Sequence, residues 1–375
     1  MIAVDPEGLD DAAARSHGCV PRHDRDRPAP APLRHRRGPG RDRRHFAYAG
    51  GWLSPGQLTP ARIIDRFEQV NGPHPGFRRN HAKGMCVAGR FTSNGAGARL
   101  SKAGVFAAER VTPVEGRVAL AGGQPYAADA AATVRSLALR FRLPDGEEWR
   151  TGMNNIPVFP VRTPEAFYAQ LLAAKPDPAT GKPDPERLKA FFADHPESAK
   201  AAALIKARTV TAGFADSTYW SLNAFRFVAA DGAARPVRWA MVPDPAPAAE
   251  AAPGGANALF DALAAQLAQG PRHWHLIVTL GQAGDPTADA TRPWPADRET
   301  VDVGTLTLTA ATPEAAASCR DVNFDPLVLP DGIAPSDDPL LSARSAAYAR
   351  SVSRRSGEAK TPSAVTGAAI HGAAL

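Results

Sequence analysis

Residues 78–89 read RRNHAKGMCVAG, which places a histidine directly before an apolar run. The run continues as GMCVAGRFT and has the composition of a β-strand. Arg78, Arg79 and Lys83 flank His81, and nearby positive charge favours a neutral imidazole over a charged one. A neutral imidazole can shuttle protons. Alone, however, such a histidine is more often structural, so its role depends on the rest of the sequence.

Further apolar segments predict an α+β fold. Strand-like segments separated by Gly, Pro and Asp indicate an antiparallel sheet, at residues 84–92, 117–122, 136–143, 158–161, 219–228, 236–242, 273–281 and 303–309. Segments with a helical period predict helices at residues 58–70, 164–208 (two or more), 256–268 and 340–355. Thr59 is the expected cap of the first helix, and Ser336 or Asp337 that of the last, with Pro60 and Pro339 in the respective first turns.

Three separated segments resemble the core of the haem catalases. They are RRNHAKGMCVAG at residues 78–89, WRTGMNNIPVFPVRTPEAF at residues 149–167 and FDPLVLPDGIAPSDDPLLSARSAAY at residues 324–348. They occur in the catalase order, and GWLSPGQLTPARI at residues 51–63 resembles the shorter, catalase-related peroxidases. The resemblance implies a catalase-like antiparallel β-barrel surrounded by helices. It also implies haem b, with its iron, buried between the barrel and a C-terminal helix.

The resemblance assigns residues to both sides of the haem. His81 matches the distal histidine, and Asn154 matches the distal asparagine that holds peroxide. Tyr348 matches the axial ligand of the iron, and Arg344, four residues earlier, faces the same side of a helix. A guanidinium beside a phenolate stabilises its negative charge, and anionic oxygen ligation suits peroxide chemistry at ferric haem.

Five more residues match positions that hold the cofactor in catalases. Arg78, Arg117 and Arg355 match arginines that bind the haem propionates, a role suited to the planar guanidinium. Phe159 and Phe167 match aromatic residues that line the haem pocket. Taken singly, each arginine is more often a solvated charge and each phenylalanine ordinary core, so these assignments rest on the resemblance.

Two positions depart from the catalase pattern. Where catalases carry a serine that hydrogen-bonds the distal histidine, this chain has Ala119, and where they carry a channel aspartate it has Thr133. The long N-terminal arm and the C-terminal flavodoxin-like domain of large catalases also have no counterpart, which predicts a shorter and wider route to the haem. These departures predict a haem-dependent peroxidase that detoxifies hydrogen peroxide or organic hydroperoxides with a small organic electron donor.

Three rival functions stay open. A true catalase would disproportionate peroxide and release oxygen. A non-enzymatic haem-binding protein would need neither His81 nor Asn154. A nucleic-acid-binding protein would suit the formal charge of +6, but nine arginines lie within residues 22–44 and the rest of the chain is balanced. We therefore expect peroxide and an electron donor as partners, and no nucleic acid, with the oligomeric state left open.

The chain is predicted to divide into three parts. Residues 1–45 are Arg- and Pro-rich and are expected to be a disordered tail outside the enzyme, residues 46–356 the haem-binding domain, and residues 357–375 a flexible tail. No window is apolar enough for a membrane helix, so the sequence as written predicts a cytoplasmic protein. An export or anchor segment ahead of Gly50, as in similar proteins, would instead place it in the periplasm or at the membrane.

The cysteines and one histidine pair are less informative. Cys19, Cys86 and Cys319 allow at most one disulfide, and the spacing does not select a pair. His273 and His275 share one face of a predicted strand, a spacing that could bind metal. Without a third ligand in the sequence nearby, we expect them to be surface histidines.

Overall fold

The computed structural model describes residues 56–129, 132–244 and 254–366. Ten strands occur in this part of the chain: β1 (Gly84–Ser93), β2 (Val111–Leu120), β3 (Arg135–Arg142), β4 (Glu148–Asn154), β5 (Tyr219–Trp220), β6 (Phe225–Val228), β7 (Ala234–Asp244), β8 (Arg272–Leu280), β9 (Thr300–Pro313) and β10 (Ile333–Pro335). The described residues also contain six α-helices: α1 (Pro60–Asn71), α2 (Pro164–Ala173), α3 (Pro185–Asp194), α4 (Pro196–Ala207), α5 (Ala258–Gln269) and α6 (Pro339–Ser356).

The strands form one antiparallel sheet that closes on itself. Its order is β10-β6-β7-β5-β4-β3-β2-β1-β9-β8, and β7 also pairs with β8. This extra pairing closes the run of eight strands from β7 to β8 into a barrel, with β6 and β10 outside it. Closure gives each barrel strand a hydrogen-bonded neighbour on both sides. The predicted antiparallel barrel with surrounding helices is confirmed.

Large apolar side chains fill the barrel interior. Trp149 is fully buried there and stacks on Phe141 at 4.7 Å between ring centroids. Along β4, the buried residues Trp149, Thr151 and Met153 alternate with half-buried ones, as expected for a strand with one face on a core. Because the interior is filled, a ligand site on this barrel has to lie on its outer face.

The helix starts follow ordinary capping rules. The hydroxyl of Thr59 accepts a hydrogen bond of 3.3 Å from the backbone N–H of Arg62, so the predicted start of α1 is confirmed. The predicted cap of α6 is wrong by one or two residues. Asp338, rather than Ser336 or Asp337, accepts the 2.9 Å bond from the backbone N–H of Leu340.

Three predicted strands need correction. Residues 158–161 form no strand, because Pro157 and Pro160 lack the N–H that a ladder requires. The segment 219–228 is two short strands, interrupted where Leu222 adopts a left-handed backbone with φ of 67°. The segment predicted at 117–122 begins at Val111 and ends at Leu120. Strand β4 was not predicted, because its charged residues and its glycine make the alternation of buried and half-buried residues hard to recognise in the sequence.

A buried disulfide resolves the cysteine pairing. Cys86 on β1 is bonded to Cys319, which lies in a 3₁₀ turn, and the two residues are 233 positions apart in the chain. Both are buried, at 4% and 0% exposure. The bridge fastens the segment after β9 to the first strand of the barrel.

The packed chain extends past the boundary predicted at residue 356. Glu358 forms an ion pair with Arg79, and Val365 is 1% exposed within the main core. The described chain is therefore packed at least to Val365. The predicted disordered tail, residues 1–45, lies outside the described residues. Within the described part, no helix combines the length and the apolar character that crossing a membrane requires.

Reducing the disulfide should lower the free energy of unfolding by about 2–5 kcal/mol, because the bridge restricts a long loop in the unfolded chain. Urea denaturation followed by tryptophan fluorescence, with and without reductant, measures the change. The Cys86→Ala/Cys319→Ala double variant is the control, since it should match the reduced protein and ignore reductant. A wild-type curve unaffected by full reduction would show that the bridge does not stabilise the fold.

Candidate active site

A cavity of about 630 Å³ lies on the outer face of the barrel. Because side chains alternate along a strand, Leu137 and Met153 belong to the barrel core, whereas Ser136 and Asn154 face the cavity. Residues of α1, α2, α4 and α6 form the other walls. The volume is within the range of about 300–1,000 Å³ typical of ligand pockets. The residues singled out from the sequence that line it are His81, Asn154, Tyr348, Arg78, Arg117, Arg344, Phe159 and Phe167.

The backbone at His81 is held in an unusual conformation. Its φ of 56° lies in the left-handed region, which costs a non-glycine residue about 1–2 kcal/mol. The side chain of Asn80 helps to enforce it. Its Oδ1 accepts hydrogen bonds from the backbone N–H of His81, at 3.0 Å, and of Gly122, at 2.9 Å. This strained turn presents the imidazole to the cavity.

The residues that follow the histidine explain the HAKG pattern. Lys83 is buried and forms an ion pair of 2.6 Å with Asp129, which is also buried. Gly84 lies against Arg117, and a Cβ at this glycine would be 2.3 Å from the guanidinium carbon. Only glycine leaves room there, so Gly84 allows Arg117 to reach the cavity.

A serine that the sequence analysis did not single out connects the two distal residues. Ser136 Oγ lies 2.9 Å from Nδ1 of His81 and also hydrogen-bonds Oδ1 of Asn154. An amide oxygen only accepts, so the serine donates its proton to Asn154 and accepts one from His81 Nδ1. The Nε2 of His81 is then left as a proton acceptor, and the amide NH₂ of Asn154 is left as a donor.

The strand register explains why Ser136 lies within hydrogen-bonding distance of both His81 and Asn154. Ala119, Ser136 and Asn154 are direct neighbours across β2, β3 and β4. We expected His81 to lack a hydroxyl partner because of Ala119, and that expectation is wrong, since the adjacent strand supplies the hydroxyl. Directly paired residues are about 4.5–5.5 Å apart, so a hydroxyl at either position is near the same imidazole. The one sequence feature that could have indicated this role is that Ser136 is a polar residue on the outward face of an apolar strand.

The imidazole of His81 is neutral. Burial, together with the charges of Arg117 and Arg344, lowers the pKa of His81 from 6.5 to about 3. The prediction of a neutral imidazole is confirmed, and the expected cause is right only for Arg78, whose charge makes a smaller contribution. Arg79 and Lys83 are not the source, because each is paired with a carboxylate.

A chain of polar contacts fixes the phenol that α6 contributes to the cavity. Nη2 of Arg344 donates a hydrogen bond of 3.4 Å to the hydroxyl of Tyr348, one helical turn later, as the sequence predicted. Arg344 also donates to the carbonyl of Gly152, at 3.2 Å, and to Oδ1 of Asn223. Asn223 in turn donates to Asp338, the cap of α6, at 2.8 Å. The guanidinium is thus held beside the phenol.

A cluster of buried arginines adjoins the cavity. Burial and the charges of Arg117 and Arg355 lower the pKa of Arg78 well below its ordinary value, and burial and Arg117 lower that of Arg355 to about 10. Glu314 pairs with Arg117 at 2.7 Å, which leaves three guanidiniums against one paired carboxylate. Nε of Arg78 and both Nε and Nη2 of Arg355 are buried without a partner among the described residues. This cluster is suited to binding carboxylates. Arg78 and Arg117 line the cavity, whereas Arg355 does not.

The structure also shows where the two phenylalanines and the two strand histidines singled out from the sequence lie. Phe159 and Phe167 both line the cavity, and their rings pack against each other with centroids 5.9 Å apart. His273 and His275 lie elsewhere, on β8, where His275 contacts Asp302 at 2.7 Å. Among the described residues, no group of three or more side chains is arranged to hold a metal ion.

Comparison with known proteins agrees with this geometry. The catalase family model matches residues 54–362. A catalase-related peroxidase of Synechococcus elongatus is 41% identical over 302 residues, which are 80% of this chain and 89% of the relative. A catalase-related peroxidase of Mycolicibacterium paratuberculosis is 36% identical over 80% of this chain and 96% of its own. The chain belongs to the catalase family.

Solved catalase structures share its fold. A bacterial catalase superposes with a TM-score of 0.67 at 22% identity, over 80% of this chain and 61% of the catalase chain. This catalase-family protein therefore spans less than two thirds of that larger catalase.

Replacing Ser136 with alanine should slow the reaction of this catalase-family protein with hydrogen peroxide about five- to tenfold, because a hydrogen bond contributes about 1 kcal/mol. Stopped-flow measurement of the second-order rate constant tests this.

Two further variants separate positioning from general damage to the fold. Ser136→Thr keeps the hydroxyl, and the double variant Ala119→Ser/Ser136→Ala moves it to the paired position on β2. Both should recover most of the rate. A Ser136→Ala protein as fast as wild type would show that the hydroxyl does not position His81.

Proposed function

We propose that this protein is a haem-dependent peroxidase that reduces hydrogen peroxide or organic hydroperoxides with an organic electron donor. The observation that carries the proposal is that two sets of polar side chains line one cavity. Neutral His81 and Asn154, joined by Ser136, form one set on the barrel, and Tyr348 with Arg344 forms the other on α6. The two relatives named catalase-related peroxidase support it further.

The residues fit haem b. Its two propionates are carboxylates, and the cluster of Arg78, Arg117 and Arg355 offers excess positive charge and unpartnered N–H groups. Tyr348 would ligate the iron as a phenolate, stabilised by the guanidinium of Arg344. Phe159 and Phe167 supply apolar surface for the macrocycle. When bound, ferric haem supplies the redox chemistry that these side chains lack.

The chain's own residues handle the proton and orient peroxide. Nε2 of His81, with its lone pair free because Nδ1 is tied to Ser136, accepts the proton from one peroxide oxygen and returns it to the other. The amide NH₂ of Asn154 donates a hydrogen bond to the peroxide. The balanced reaction is H₂O₂ + 2 AH → 2 H₂O + 2 A•, in which the donor AH loses two electrons and two protons in total.

A catalase is the second candidate, with the reaction 2 H₂O₂ → 2 H₂O + O₂. The hydroxyl of Ser136 favours it, because it restores the support that Ala119 had suggested was missing. Thr133 in place of a channel carboxylate favours the peroxidase. A purely haem-storing protein would have no use for the proton relay through His81.

We also infer that the protein works in an oxidising compartment. The buried bridge between Cys86 and Cys319 supports this, because such disulfides persist outside the reducing cytosol. Alkylation of free thiols in protein taken from the cytoplasmic and the periplasmic fraction tests it. A bridge found only in exported protein is the expected result, and a fully reduced protein confined to the cytoplasm would refute the inference.

Tyr348→Phe should abolish haem retention or weaken it severely, because no other described phenol adjoins Arg344 in the cavity. The ratio of haem to protein after purification, and the ferric optical spectrum, measure the loss. Tyr168→Phe is the matched control, since Tyr168 lies outside the lining. An unaltered ferric spectrum in Tyr348→Phe would remove Tyr348 from the ligand role.

His81→Ala should slow the reaction with peroxide by on the order of 10²-fold or more, the usual contribution of a positioned acid–base group. In the wild type the rate should stay flat between about pH 5 and pH 8. The reason is that a pKa lowered to about 3 keeps His81 neutral as the pH falls through 6.5. A rate that halves near pH 6.5 would contradict this assignment.

Oxygen release and donor oxidation, measured on one preparation, distinguish the two candidate reactions. We expect oxidation of phenolic donors to exceed oxygen release. Rapid oxygen release with negligible donor oxidation would identify a catalase instead.

A further inference from the structure

The cavity reaches solvent at one end. Three residues that line it are exposed, namely Ala121, Thr133 and Lys206, and Arg208 lies beside them in the same lining. We call these four residues the mouth. Thr133 stands where the catalase resemblance places an acidic residue, so the mouth is where this chain departs in charge from the family pattern.

Arg208 is held in the mouth by backbone contacts. Its Nη2 donates to the carbonyl of Thr133 at 2.7 Å, and its Nε donates to the carbonyl of Asn155 at 3.1 Å. None of its contacts among the described residues is a carboxylate. The guanidinium is therefore fixed against the backbone of Thr133 and of Asn155, the residue after Asn154, and no carboxylate among the described residues pairs with its charge.

Lys206 adds a second unpaired charge. It lies in the last turn of α4, is exposed, and makes no hydrogen bond or ion pair with the described residues. Six described cations line the cavity: Arg78, Arg79, Arg117, Arg344, Lys206 and Arg208. No described residue of the lining carries a carboxylate. The first four have the partners or roles given above, so Lys206 and Arg208 remain for a ligand.

Apolar surface surrounds these charges. The lining next to them also contains the apolar residues Ala202, Ile205 and Ile156. A small neutral peroxide needs none of this. The combination matches a ligand with an apolar body and one negative end.

We propose that the mouth selects amphipathic organic acids, with the carboxylate held by Lys206 and Arg208 and the apolar body directed along α4 into the cavity. This rests on the proposed peroxidase function and names its substrate class. The acid is either a hydroperoxide or a reductant. For the hydroperoxide the reaction is ROOH + 2 AH → ROH + H₂O + 2 A•. The O–O bond breaks, and two molecules of the donor AH supply both electrons and both protons.

A binding experiment tests the charge preference without turnover. Isothermal titration of the haem-loaded protein with decanoate and with decanol compares a carboxylate with a neutral head on the same chain. We expect decanoate to bind about tenfold more tightly, a difference of about 1.4 kcal/mol. Lys206→Glu should abolish this preference. Lys200→Glu is the matched control, because it makes the same charge change on the same helix, outside the lining, and should keep it.

Turnover experiments show whether the acid is the hydroperoxide that is reduced or the reductant that is oxidised. One arm compares linoleic acid hydroperoxide with its methyl ester, using guaiacol as the neutral donor. The other compares 3-(4-hydroxyphenyl)propionate with its amide as donor, using hydrogen peroxide. A higher kcat/KM for the acid in the first arm identifies the oxidant, and in the second arm the reductant. Either result, lost in Lys206→Glu and kept in Lys200→Glu, supports the proposal.

Two outcomes separate this proposal from the function on which it rests. If hydrogen peroxide oxidises donors but neither binding nor turnover prefers the acid, or if Lys206→Glu keeps the preference, the mouth does not select acids and the proposal is overturned. If decanoate is preferred but no donor is oxidised with any peroxide, the ligand class stands and the peroxidase function fails.

Discussion

The distal side of the cavity depends on one hydroxyl group. Ser136 takes a proton from His81 and gives its own to Asn154, so a single side chain sets the tautomer of the imidazole and the orientation of the amide. Neither ring nor amide would be fixed by packing alone, because each can present either of its two polar atoms. The antiparallel register of β2, β3 and β4 is what places these groups at one level of the barrel wall.

Charge is distributed over the cavity in separate regions. Near His81 the nearby cations and burial keep the imidazole neutral, and near Tyr348 the guanidinium of Arg344 donates a hydrogen bond to the phenol. The buried arginines beside Glu314 hold more positive charge than the protein neutralises, which is costly unless an anionic ligand is present. Each region thus has its own polar contacts, and the excess positive charge beside Glu314 suits the anionic cofactor proposed above.

The sequence predicted the barrel, the helices and most of the site. Strand alternation located eight of the ten described strands at least in part, and the three catalase-like segments located His81, Asn154 and Tyr348. Ser136 was missed because its role comes from a pairing between strands, and a linear sequence does not reveal which residues face each other. For the same reason Ala119 was misread. The strand predicted at 158–161 was wrong because its apolar composition was given more weight than Pro157 and Pro160, which cannot donate to a ladder.

The position of α6 after the barrel strands in the chain has a consequence for biosynthesis. The last barrel strand, β9, ends at Pro313, whereas Arg344, Tyr348 and Arg355 all belong to α6. Because a chain leaves the ribosome from its N-terminus, the whole barrel and the distal wall are made before any of these three residues emerges. One wall of the cavity is therefore present throughout the later part of translation while the other does not yet exist. Binding of the proposed haem by both walls therefore has to follow the synthesis of α6.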